Sequence, residues 1–198
     1  KNGETVALVR YPHGGTFEIP ILTVNNKQAE ARRILGNTPK DAIGINSKVA
    51  ERLSGADFDG DTVMVIPCNS GKSKVKITST PPLKGLEGFD PKLEYGGKPA
   101  GTFKPMKNTQ KEMGVISNLI TDMTLKGATQ DELARAVRHS MVVIDAEKHK
   151  LDYKQSEIDN GISSLKKKYQ GTVDEDGRYH EGASTLISRA KSETSIIK

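Results

Sequence analysis

Three carboxylates stand at alternating positions, Asp57, Asp59 and Asp61, within the segment Leu53–Pro67, LSGADFDGDTVMVIP. Like charges held this close raise one another's pKa and oppose folding, so a bound cation is the simplest relief. Carboxylate oxygens are hard ligands. They suit Mg²⁺, with Mn²⁺ as a substitute, in an octahedral shell that keeps several waters for substrate oxygens to replace. Gly60 separates the second and third carboxylates and permits a backbone conformation that a β-carbon would forbid, letting the loop fold around one point. Phe58 alternates with the acids and is placed to anchor the loop in a core.

Other uses of these residues compete. A calcium loop of the EF-hand type also begins D-x-D-x-D, but it needs Gly at its sixth position and Glu at its twelfth, where this chain has Thr62 and Cys68. A phosphatase of the haloacid-dehalogenase type runs an apolar strand into D-x-D-G-T; here the acids follow the helical stretch AERLSGA, and Asp61 is an additional acid before Thr62. A polar turn without a ligand is the third alternative, and it accounts better for a pair of aspartates than for three around a glycine.

The elements that must position the cluster differ between the two halves of the chain. Residues 1–107 contain short β-type runs over Thr5–Arg10, Phe17–Val24, Ala42–Asn46, Thr62–Pro67 and Ser73–Thr78. Two helical stretches interrupt them, Lys27–Leu35 ending at Gly36, and Ser47–Ser54 with Asn46 as N-cap and Gly55 as its end. Residues 80–107, with five prolines and several glycines, read as loop. From Thr109 the spacing is helical. Met113, Ile116, Ile120 and Met123 share one face, Thr129 and Glu132 form a capping-box pattern opening a second helix, and a third is expected over Glu157–Tyr169 with Ile158, Ile162 and Leu165 on one side. Residues 171–182 read as a polar loop and the end from Ala183 as a short helix.

The chain has 198 residues and a formal charge of +5. All of that excess falls in residues 1–107, which hold 16 Lys and Arg against 11 Asp and Glu, while residues 108–198 hold 14 of each. A basic segment therefore surrounds one concentrated acidic spot, as a phosphate-binding surface around a metal site would; an ordinary basic surface fits the composition equally well. The single cysteine, Cys68, excludes an intramolecular disulfide, and no apolar run approaches the roughly 20 residues that span a bilayer. These features predict a cytoplasmic protein with no membrane partner. The first residue, Lys1, suggests a piece of a longer chain.

DFDGD after a short helix and before an apolar strand resembles the catalytic motif of the large subunit of multisubunit RNA polymerases and of their single-chain relatives, the RNA-dependent RNA polymerases of RNA silencing and phage-encoded RNA polymerases. The resemblance implies an α+β chain: a double-psi β-barrel over residues 1–107 carrying the metal loop, followed by a helical region over 108–198. It implies that Asp57, Asp59 and Asp61 hold the Mg²⁺ (or Mn²⁺) that activates the 3′-hydroxyl of a growing RNA. Arg10-Tyr11-Pro12 is similar to the Arg-x-Pro that opens the barrel in multisubunit enzymes, which would put Arg10 near the incoming nucleotide; taken alone, Arg10 reads equally as a surface arginine. Gly114–Asn118 and Val142–Lys148, VVIDAEK, resemble helices after the barrel in the silencing-type enzymes, making Lys148 a substrate-binding candidate. Multisubunit enzymes carry Asn two residues before the first aspartate, where it reads the ribose 2′-hydroxyl. Gly55 stands there in this chain, which favours the silencing and phage branch and leaves sugar discrimination unassigned.

The expected partners follow from the same resemblance: a nucleic-acid template, the RNA product, NTPs, and a second, lysine-bearing barrel from the same longer chain or a partner subunit. No second barrel is legible here. The expectation is therefore a nucleotidyltransferase, the catalytic half of an RNA polymerase inactive by itself, in a bacterial host cytoplasm if phage-encoded. The alternative is a non-catalytic, metal-dependent nucleic-acid-binding module on the same barrel.

Overall fold

A computed structural model of the chain describes residues 1–183 apart from 12, 14, 51, 54, 55, 57–59, 98 and 100–102. The chain divides into two compact units, Lys1–Pro82 and Leu83–Lys198.

The first unit is built on β1 (Thr5–Arg10), whose run Ala7, Leu8 and Val9 is buried throughout. A strand covered on both faces loses the polar alternation of a half-exposed one, and β1 accordingly takes the centre of its sheet. It pairs antiparallel with β2 (Ile21–Thr23), Thr5 opposite Thr23, and with β3 (Val63–Pro67), Val6 opposite Pro67 and Arg10 opposite Val63. The sheet order is β2-β1-β3. Pro67, which cannot donate to a ladder, closes an edge strand, where it is tolerated. Two short helices complete the unit. α1 (Ala29–Leu35) is capped by the Gln28 side chain, which accepts from Ala31 N at 2.6 Å, and stops at Gly36 (φ 82°). α2 (Ser47–Ala50) is capped by Asn46, whose Oδ1 accepts from Lys48 N at 2.9 Å.

The double-psi β-barrel expected over this half is corrected by the structure. Among the described residues the sheet has three antiparallel strands and does not close. Two of the expected strands fail for local reasons. Ala42–Asn46 carries Gly44 at its centre, which weakens a strand, and the segment instead lies beside α1: a β-carbon on Gly44 would sit 3.6 Å from Ala31 Cβ. Ser73–Thr78 has strand-like alternation, but backbone groups of Val75 and Ile77 are paired by one residue outside any strand. Asn69, in the left-handed region at φ 57°, donates its own N–H to Val75 O, while its side-chain amide donates to Ile77 O (2.7 Å) and accepts from Ile77 N (2.9 Å). An asparagine amide imitates a peptide group, so the segment needs no neighbouring strand. The α+β class itself stands.

The second unit is helical. α3 (Pro91–Tyr95) starts on an Asp90 cap and packs with α5. α4 (Thr109–Leu125) buries Ile116, Leu119, Ile120 and Met123, the expected face widened by Leu119. α5 (Gln130–His149) opens with the capping box formed by Thr129 and Glu132 and buries Ala136, Val137, Val142, Val143 and Ala146. The third expected helix is two: α6 (Tyr153–Asp159) and α7 (Ile162–Gln170) are separated at Asn160–Gly161, with Gly161 left-handed at φ 62°. Ile158, expected on the apolar side, is 70% exposed because the break turns α6 away from the α7 face. Residues 171–181 form a hairpin of β4 (Gly171–Val173) and β5 (Tyr179–Glu181), turned by Asp174, whose carboxylate accepts from Asp176 N and Arg178 N. The helix expected from Ala183 falls outside the described residues beyond 183. Among the described residues no helix is long and apolar enough to cross a membrane.

Candidate active site

The register of β1 against β3 decides what faces Asp61. Arg10 ends β1 opposite Val63, so its side chain reaches the residue two positions before β3 starts. Its Nε donates to Asp61 Oδ1 at 2.8 Å and its Nη2 lies 2.6 Å from the same oxygen. Both side chains are mostly covered, 12% exposed for Arg10 and 17% for Asp61. A charge-assisted pair in this setting fixes the carboxylate's orientation more firmly than a surface ion pair would.

Gly60, immediately before Asp61, has φ 126°, a backbone geometry that L side chains rarely adopt. The freedom anticipated for this glycine is thus used. Beside it opens a cavity of about 540 Å³ lined by Tyr11, Gly60, Asp61, Thr62, Val63 and Met64, within the size range of small-ligand sites. Arg52 fastens the approach to the loop: its Nη2 donates to Phe17 O (3.0 Å) and Thr80 O (2.7 Å), tying the chain after α2 to two other segments of the same unit.

Of the residues singled out in the sequence, Asp61 and Arg10 are brought into direct contact at this cavity. Asp57 and Asp59, with Phe58 and Gly55, lie outside the described residues. Lys148 stands exposed in the last turn of α5, in the second unit. The described donor that can be tested against a divalent cation is Asp61, and its chemistry fits: a hard carboxylate at the wall of an open cavity. Among the described residues no group of three or more His, Cys, Asp and Glu side chains is placed to hold a metal ion. Sequence reasoning missed Tyr11 and Met64 as cavity residues and Arg52 as the anchor. For Tyr11 a signal existed, since it follows Arg10 directly; Arg52 gave none, because its partners are backbone carbonyls 28 and 35 residues away.

Comparison with protein-family models, with curated proteins and with solved structures finds no match to this chain.

Proposed function

We propose that the chain carries the nucleotidyl-transfer centre of a DFDGD-type RNA polymerase, extending an RNA 3′-hydroxyl with NTPs on a nucleic-acid template. The observation that carries this reading is the D-x-D-G-D spacing with its last aspartate held by Arg10 at the wall of a 540 Å³ cavity. Asp57, Asp59 and Asp61 would hold Mg²⁺, which would supply Lewis-acid chemistry at the attacking hydroxyl and the phosphates. The protein's own residues position. Asp61 would offer the cation the carboxylate that Arg10 holds, in competition with it, and Gly60 provides the turn. A second barrel bearing lysines, from the same or another polypeptide, completes the phosphate contacts in this reading.

A second reading has one observation in its favour. An aspartate already satisfied by a mostly buried arginine is what a structural role would preserve, as in a binding module that does no chemistry. Incorporation of labelled NTP into RNA by the protein expressed from its complete reading frame separates the two. The polymerase reading expects Mg²⁺-dependent incorporation that Asp59→Ala abolishes. Incorporation that survives Asp59→Ala overturns the assignment of the motif, and Mn²⁺ binding without incorporation favours the module.

A further inference from the structure

From Asp61 to Glu87 the chain contains no acidic residue, and it places Lys72, Lys74 and Lys76 at alternating positions. The structure gives that spacing a shape. After β3 the chain turns through Ser70–Ser73, with Ser73 N donating to Ser70 O, and runs back as an extended segment. One end of it is held by Asn69 through Val75 and Ile77 and by Ser73 Oγ, which donates to Pro67 O at 2.9 Å. The other end is held by Arg52 at Thr80 O. Val75 and Ile77 both turn their backbone groups to Asn69, so in an extended chain Lys74 and Lys76 project to one and the same side. Lys72, Lys74 and Lys76 are exposed, and among the described residues none of the three is ion-paired. Arg52, where the segment is tied down, lies five positions before Asp57. The lysines thus lie along a stretch that leads from the end of the sheet to the chain introducing the aspartate loop.

We propose that Lys72, Lys74 and Lys76 form a phosphate track for single-stranded RNA along the segment that Arg52 ties down at Thr80. Lys74 and Lys76, alternate residues of the segment held by Asn69, are about 7 Å apart, comparable to successive phosphates along a single strand, and Lys72 stands in the turn just before them. Lysines act as point charges without a fixed fork, which suits contacts that must tolerate a sliding strand. No aromatic residue lies between Asn69 and Thr80, so the track lacks a stacking platform and binds without base preference. The binding itself does not rest on the polymerase reading.

The test measures the affinity of the whole chain for a labelled single-stranded RNA oligonucleotide by fluorescence anisotropy across a range of salt. The wild type is compared with the triple variant Lys72→Gln, Lys74→Gln, Lys76→Gln and with a control of equal charge change in the same unit, Lys27→Gln, Lys40→Gln, Lys48→Gln. Three lost phosphate contacts reduce the slope of log K against log salt by about 2 for a single strand, so a fourfold rise in salt costs the wild type about 20-fold more affinity than it costs the track variant. The control keeps the wild-type slope, and Lys→Arg at the same three track positions restores it. An unchanged slope in the track variant, an equal fall in both triples, or no RNA binding by the wild type at low salt overturns the track. Mn²⁺ affinity, measured on the same proteins, is expected to be equal in all of them. It reports on the aspartate loop alone, so failure of the track and failure of the polymerase reading give different results.

Discussion

Acidification from pH 7.5 to 5 is expected to loosen the helical unit through one residue, His139. Its imidazole lies in the middle of α5, 94% covered, with Nδ1 3.0 Å from Ser156 Oγ. The small cavity beside it is also lined by Glu112 of α4, Lys154 and Glu157 of α6, and Lys166 of α7. Burial is the dominant influence and pushes the pKa of His139 down to about 4; Glu157 opposes this, and Lys166 and Lys154 reinforce it. Because the folded value lies below the ordinary 6.5, the unfolded chain takes up the proton first as pH falls. Stability is therefore full above about pH 6.5 and is lost progressively down to about pH 4. A displacement from 6.5 to about 4 corresponds to about 3 kcal/mol, of which about 2 is already gone at pH 5. Urea unfolding followed by circular dichroism at pH 7.5, 6 and 5 measures it in the wild type and in His139→Gln, which keeps an amide in reach of Ser156 but does not titrate. The wild type is expected to lose about 2 kcal/mol more than the variant over this range. Parallel pH profiles for the two proteins would refute the assignment.

Arg10→Gln removes both N–H groups from Asp61 Oδ1; it is expected to cost about 2–3 kcal/mol in urea unfolding and to tighten Mn²⁺ binding, since the arginine and the cation compete for one carboxylate, whereas an unchanged Mn²⁺ affinity would contradict that competition. Lys168 first, then Tyr169 and Thr129, hold Glu132 down to about 2, so its contribution is complete above pH 4.5 and lost as pH falls toward 2; Glu132→Gln is expected to cost about 1–2 kcal/mol at pH 7, a figure discounted for the exposure of Lys168, and to flatten acid unfolding in that window. Asn69→Ala deletes the amide pairing with Ile77 at about 1–2 kcal/mol, and faster tryptic cleavage at Lys72, Lys74 and Lys76 than in the wild type checks it.

The helical unit was the more legible half because its signals are local. Ile116, Ile120 and Met123 repeat at helical spacing, and the Thr129–Glu132 box is written in four residues. The break at Asn160–Gly161 was missed because Ile158, Ile162 and Leu165 keep a helical spacing across it; only the left-handed Gly161 interrupts the backbone. In the sheet unit the strands β1 and β3 were read from their apolar runs. What closes around them was not, since Asn69 replaces a strand partner with its side chain, a choice that alternation in Ser73–Thr78 does not reveal. At the site, the identity and spacing of the aspartates and the need for Gly60 were visible in the residues. The Arg10–Asp61 contact was not, because it depends on the pairing of segments 51 residues apart.

If the D-x-D-G-D segment is a cation site serving phosphoryl chemistry, it binds Mn²⁺, which titration calorimetry measures with electron paramagnetic resonance of the free ion as a second readout. The wild-type chain and an Asp59→Asn, Asp61→Asn double variant are titrated under the same conditions, with Mg²⁺ as competitor. The wild type is expected to bind Mn²⁺ weakly and to release it to Mg²⁺, and the variant to have lost that binding. Equal Mn²⁺ affinity in the two proteins would contradict the cation site.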